Sequence, residues 1–124
     1  MTVPLTIYLL LSICIITFQI CLLLGVPWGS ASMGGRFPGS YPKNKRLIPL
    51  ISIVILIGLA VIVIIRVGLI FQNFLNLSKI LIWIVAAYYG FGIVLNTITP
   101  SKIERIWAPV ALIQFICILI IALD

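Results

Sequence analysis

Two short segments hold most of the residues able to do chemistry. In the first, Gly34-Gly35-Arg36 could form a small anion cradle. Glycines let successive backbone N–H groups converge, and a guanidinium fork suits phosphate or carboxylate. The second, Asn96-Thr97-Ile98-Thr99-Pro100-Ser101-Lys102-Ile103-Glu104-Arg105, reads as a turn followed by a helix start. Ser101 with Glu104 three residues later matches a capping box. Thr99 as the cap, with Pro100 at the first helical position, is the competing register. Glu104 and Arg105 are the expected electrostatic partners of the cradle, through a Glu104–Arg36 or Glu104–Arg105 pair. The plainer alternative makes the first segment a surface cap whose Arg36 only pairs with Glu104 or sets the topology.

Most catalytic chemistries lack their parts. The chain has no histidine, and its only carboxylic side chains are Glu104 and Asp124. Paired-carboxylate acid/base work, serine–histidine catalysis and histidine-containing zinc sites are thereby excluded. Cys14 and Cys21, seven apart, would lie about 10 Å apart on one helix face, too far for a disulfide. No C-x-x-C pattern exists, and neither Cys14 nor Cys117 is accompanied by a base. The cysteines read as small apolar fillers. The expectation is a non-enzymatic protein with no cofactor and no metal.

The elements that position these segments follow from composition. Of 124 residues, 64% are hydrophobic and 8% charged. Soluble domains carry about 25% charged residues, so a water-soluble globule is excluded. Four apolar runs, about 4–24, 47–65, 80–95 and 106–123, are each close to the roughly 20 residues a spanning helix needs. They predict an all-α fold: one domain over 1–124, an antiparallel bundle of four transmembrane helices. The last two runs are slightly short, so an added turn or local bilayer thinning is expected. The first lacks the basic flank of a cleaved signal and reads as a retained helix. Pro109 would remove the hydrogen bond to the Arg105 carbonyl and kink the last helix.

Polar residues inside the spans are few. Gln19, Ser52, Tyr88 and Gln114 are the candidate intramembrane lining. Gln19 and Gln114 fall at comparable depth and could bond to each other, at about 1 kcal/mol. A polar path through the bundle is the other reading of the same residues.

Charge sets the orientation. The connections 25–46 and 96–105 carry Arg36, Lys43, Lys45, Arg46, Lys102 and Arg105; the opposite side has Arg66 and Lys79. Six basic residues against two place these loops in the cytoplasm and both termini outside. The partners implied are the lipid bilayer and anionic lipid head groups, with no nucleic acid. The Gly/Pro-rich first loop carries Trp28, Phe37 and Tyr41, so it reads as compact and packed at the membrane surface, Trp28 anchoring it.

Pro27-Trp28-Gly29, Gly34-Gly35-Arg36 and Pro38-Gly39, together with Ser101, Lys102, Glu104, Arg105, Ala108 and Pro109, carry a resemblance. The chain resembles a group of small bacterial four-helix integral membrane proteins. The resemblance implies this architecture and a bacterial plasma membrane, and suggests that the two loops form one site. It implies no chemistry. The expected function is a multi-pass membrane protein whose Gly-rich loop binds a partner protein, lipid head group or small anion. Its candidate residues are Trp28, Gly34, Gly35, Arg36, Glu104 and Arg105. The alternative is a small homodimeric channel or carrier for an anion or amphipathic solute, lined by Gln19, Ser52, Tyr88 and Gln114.

Overall fold

The computed structural model describes residues 2–124. Four helices account for most of them: α1 (Thr2–Leu23), α2 (Leu47–Val67), α3 (Leu75–Ile98) and α4 (Trp107–Leu123). No strand occurs among the described residues. α1 packs against α2 and α4, and α3 packs against the same two, which closes an up-down-up-down bundle. Each helix, taken with its flanking turn, is long and apolar enough to cross a bilayer, while only 22–28% of each span is buried inside the bundle. The remaining surface is apolar too, with Leu10, Ile13, Val54, Ile57 and Phe91 all exposed. Water would penalise such a surface and lipid would not. The chain is a multi-pass membrane protein.

The helix bounds depart from the apolar runs by one or two residues in α1, α2 and α4 and by more in α3. α3 begins at Leu75, five residues before the expected 80, and ends at Ile98. Lys79 marks the end of the apolar run but not of the helix, because a long lysine stem can follow the helix surface and keep its ammonium in water. At 24 residues and 1.5 Å per residue, α3 is about 36 Å long, so it is not short for a core of about 30 Å. α4 is preceded by a 3-10 turn over Glu104–Ile106, which supplies the added turn the short fourth run called for.

Three prolines share one placement. Pro4, Pro49 and Pro109 are each the third residue of the helix that holds them. N–H groups in a first turn have no intrahelical acceptor, so a residue without one costs nothing there. Pro109 therefore sits in the first turn of α4, directly after the 3-10 turn, and not inside a helix where its missing N–H would kink it.

The bundle is solid at one end and hollow at the other. At the end away from the basic loops, Leu5, Leu59, Val63, Ile82, Val85, Ile118 and Ile121 form one buried cluster drawn from all four helices. At the basic end a second cluster of Phe18, Leu22, Ala31 and Tyr41 joins α1 to the first loop. Between them lies a cavity.

Candidate functional site

The first loop is folded back over the end of the bundle. Gly29 donates its N–H to the Gly39 carbonyl at 2.8 Å, which draws the loop's two limbs together. The approach is so close that a Cβ at Gly29 would lie 1.8 Å from the Phe37 carbonyl oxygen. No other residue type fits that position without displacing the backbone. Tyr41 is buried, its hydroxyl 2.8 Å from Ser32 Oγ and its ring edge-on to Phe37. Burial pushes the Tyr41 phenol above its ordinary value; the Ser32 hydrogen bond opposes the shift and the nearby Glu104 charge adds to it.

Three residues spaced three apart fasten this loop to the next one. Ser101 Oγ donates to the Ser30 carbonyl. Glu104 Oε2 accepts the Gly34 N–H at 2.7 Å. Trp107 Nε1 donates to the Ala31 carbonyl at 3.0 Å, and its ring lies 4.9 Å from that of Phe18. Gly34 takes a φ of +66°, and Met33 beside it takes +51°. The left-handed region costs a non-glycine residue about 1–2 kcal/mol, so Met33 holds strain that the contacts around it must offset.

The structure thus places a carboxylate in the Gly34 cradle, and that carboxylate belongs to the chain itself. Neither Arg36 nor Arg105 is a hydrogen-bond partner of Glu104. The Arg105 guanidinium donates twice to the Thr99 carbonyl, each at 3.1 Å, and Arg36 is exposed. The capping expectation is met by halves in both registers. Thr99 Oγ1 accepts the Ser101 N–H at 3.3 Å and Ser101 Oγ the Glu104 N–H at 3.4 Å. The Glu104 side chain does not reach back to Ser101, because Gly34 has it. Trp28 is half exposed and borders a separate cavity of about 450 Å³ beside Cys14, Thr17 and Ile106.

Beneath the fastened loops lies a cavity of about 640 Å³. Ser32, Met33, Gly34, Thr99, Pro100 and Glu104 roof it. Ile15, Phe18, Leu56, Phe91, Leu95 and Trp107 give it apolar walls, and Gln114 and Tyr89 lie at its depth. Gln19, Ser52, Tyr88 and Gln114, the four residues read from the sequence as an intramembrane lining, all border this one cavity. Gly34 and Glu104 of the loop set border it as well; Trp28, Gly35, Arg36 and Arg105 do not. Tyr88, Phe91, Leu95 and Ile98 of α3, with Met33 and Pro100 of the roof, line it and are also exposed, so it reaches the surface along the second half of α3 and beside the roof, with Ser52 lining it from α2. The α3 residues among them belong to the apolar outer surface of the bundle. Glu104 is the one charged side chain in the described lining.

Gln114 does not bond to Gln19. Trp107 packs on Phe18, so seven residues deeper along α4 Gln114 reaches the level of Ser12 rather than Gln19. Its Nε2 donates to Ser12 Oγ at 3.0 Å and to the Tyr8 carbonyl at 3.4 Å. Beside it the Tyr8 and Tyr89 hydroxyls meet at 3.1 Å across the bundle diagonal, their rings edge to face. Tyr8, Ser12, Tyr89 and Trp107 are absent from the sequence-derived site. Tyr8 and Ser12, four apart and therefore on one helix face, were the available signal. Trp107 gave none beyond its place at a helix start.

Comparison with family models, with curated proteins and with solved structures gives no match to this chain.

Proposed function

We propose that this is a non-enzymatic membrane protein that receives an amphipathic, lipid-borne molecule from the bilayer, between α2 and α3, and holds it beneath the folded first loop. The observation that carries the reading is the cavity: about 640 Å³, within the usual range for small-molecule sites of roughly 300–1,000 Å³, with mostly apolar walls and a few convergent polar groups. Its opening along α3 suits a ligand that partitions into lipid. The gathering of Gln19, Ser52, Tyr88 and Gln114 around one space favours binding of an amphipathic solute over capture of an anion by the loop. The Gly34 N–H is already spent on Glu104, and the cavity's lining charge is negative. The six basic residues of the two roof-end loops support a reading in which the cavity lies in the cytoplasmic half of a plasma membrane, with both termini outside.

The test is retention of a ligand. The protein extracted in mild detergent and examined by native mass spectrometry should carry a small-molecule adduct, and Ser52→Trp, which fills the cavity from the α2 side, should lose it. Identical adduct patterns for the two proteins, or none on either, would sink the reading.

A further inference from the structure

The hydrogen-bonding state of the cavity says which end group it accepts. Gln114 lines the cavity, is fully buried, and leaves its Oε1 without a partner. Its orientation is set by its other end. Exchanging the amide oxygen and nitrogen would put an oxygen against the Tyr8 carbonyl oxygen now 3.4 Å from Nε2, two acceptors facing each other. Two of the neighbouring polar groups already have partners. The Tyr89 hydroxyl pairs with Tyr8, and Asn96 Nδ2 donates to the Gly92 carbonyl at 2.8 Å. The unpaired buried group among the lining residues is the Gln114 acceptor at the cavity's depth, with the Glu104 carboxylate at its roof and the Gln19, Ser52 and Tyr88 side chains elsewhere on its wall.

An unpaired buried amide oxygen carries its full desolvation cost until a donor reaches it. A ligand carbonyl or ether would set oxygen against oxygen there and leave Gln114 unsatisfied. A hydroxyl would supply the missing proton. Sites built around a hydrogen bond reject analogues that lack it far more strongly than apolar walls reject a change of size. Resting on the function proposed above, we infer that the cavity selects amphipathic molecules whose buried end is a neutral hydrogen-bond donor, an alcohol O–H received by Gln114 Oε1.

The probes are 12-bromododecan-1-ol and its methyl ether, matched in tail and differing in the donor. Binding is read in maltoside micelles by bromine quenching of Trp107, in a Trp28→Phe/Trp83→Phe background. Both probes should quench saturably, the alcohol at about tenfold lower concentration. Gln114→Met should bind the two alike. Equal affinities on the protein with Gln114 intact would overturn donor selection and leave the cavity reading standing; this comparison needs no variant at position 114. A tenfold preference that survives in Gln114→Met would also overturn it, since another group would then be receiving the hydroxyl. Failure of either probe to quench saturably would overturn the cavity reading and this inference with it.

Discussion

Glu104 and Gly34 are 70 residues apart in sequence, and the carboxylate of the one accepts the backbone N–H of the other at 2.7 Å. Glu104 is 7% exposed, so the bond is made away from bulk water, where a charged acceptor counts most. It joins the roof of the cavity to the start of α4. Hydrogen bonds to charged groups are worth about 1.5–3 kcal/mol. Glu104→Ala should therefore raise the population of detached loop by about 10- to 100-fold, read as faster proteolysis within residues 25–46. Glu104→Gln, which keeps an acceptor but not the charge, should fall between. Unchanged protease resistance in Glu104→Ala would show that the other fastenings hold the loop without it.

Gly29 and Gly39 give a paired test of why the loop folds as it does. Gly39 has a φ of +75° with nothing within 4 Å of an added Cβ, so Gly39→Ala should cost only the left-handed penalty of about 1–2 kcal/mol. At Gly29 the added carbon meets two backbone carbonyls, Phe37 and Gly39, and backbone cannot step aside as a side chain can. Gly29→Ala should cost about 3 kcal/mol or more and release the loop. The expected result is a large loss of loop protection for Gly29→Ala and a small one for Gly39→Ala; equal losses would contradict the packing described.

The fold was readable because its causes are local. Uninterrupted apolar runs define the spans, and the largest boundary shift, at the start of α3, arose from treating Lys79 as an end when its stem can lie along the helix. The site was readable only in part. Gln19, Ser52, Tyr88 and Gln114 stand out because polar groups are expensive in lipid, and all four border one cavity. Their pairing was not readable. Depth depends on which residue of α4 lies level with Phe18, and the 3-10 turn before Trp107 sets that register. The partner of Glu104 was hidden for a different reason: charge complementarity points to arginine, whereas backbone N–H donors leave no mark in a sequence.

The Tyr8–Tyr89 hydroxyl pair, at 3.1 Å across the diagonal, ties α1 to α3, which are otherwise separated by their neighbours. Interhelical hydrogen bonds in membrane proteins average about 0.6 kcal/mol. Tyr8→Phe and Tyr89→Phe should each cost about that much. The double variant should cost no more than either single, because each alone already removes the bond. Additive losses in reversible unfolding in mixed micelles would mean that the hydroxyls act separately.

Tyr41 gives the loop a dependence on alkaline pH. Its folded-state pKa is raised, chiefly by burial, so the folded loop holds the phenolic proton more tightly than an unfolded chain does. The associated stability is fully present below about pH 10, the ordinary tyrosine value, and is lost as pH rises above it. Loop proteolysis should be flat from pH 7 to 9 and accelerate beyond pH 10. Tyr41→Phe should raise the basal rate, through the lost Ser32 bond, and flatten the alkaline rise. An alkaline rise of the same size in Tyr41→Phe would assign it to the lysines instead.

Orientation is the premise on which the cytoplasmic placement of the cavity rests. Lys43 lies in the loop that roofs the cavity and Lys102 in the loop that fastens it; both are exposed, as is Asn73 at the opposite end of the bundle. Six basic residues in the two roof-end loops against Arg66 and Lys79 at the other end predict that the roof faces the cytoplasm. In intact cells, Lys43→Cys and Lys102→Cys should resist a membrane-impermeant maleimide and react once the membrane is opened, whereas Asn73→Cys should react at once. Cys14, Cys21 and Cys117 all lie in helices, and the parent protein sets their background. The reverse pattern would turn the molecule over. The cavity would then draw its ligand from the outer leaflet, while the bonds that close its roof would be unchanged.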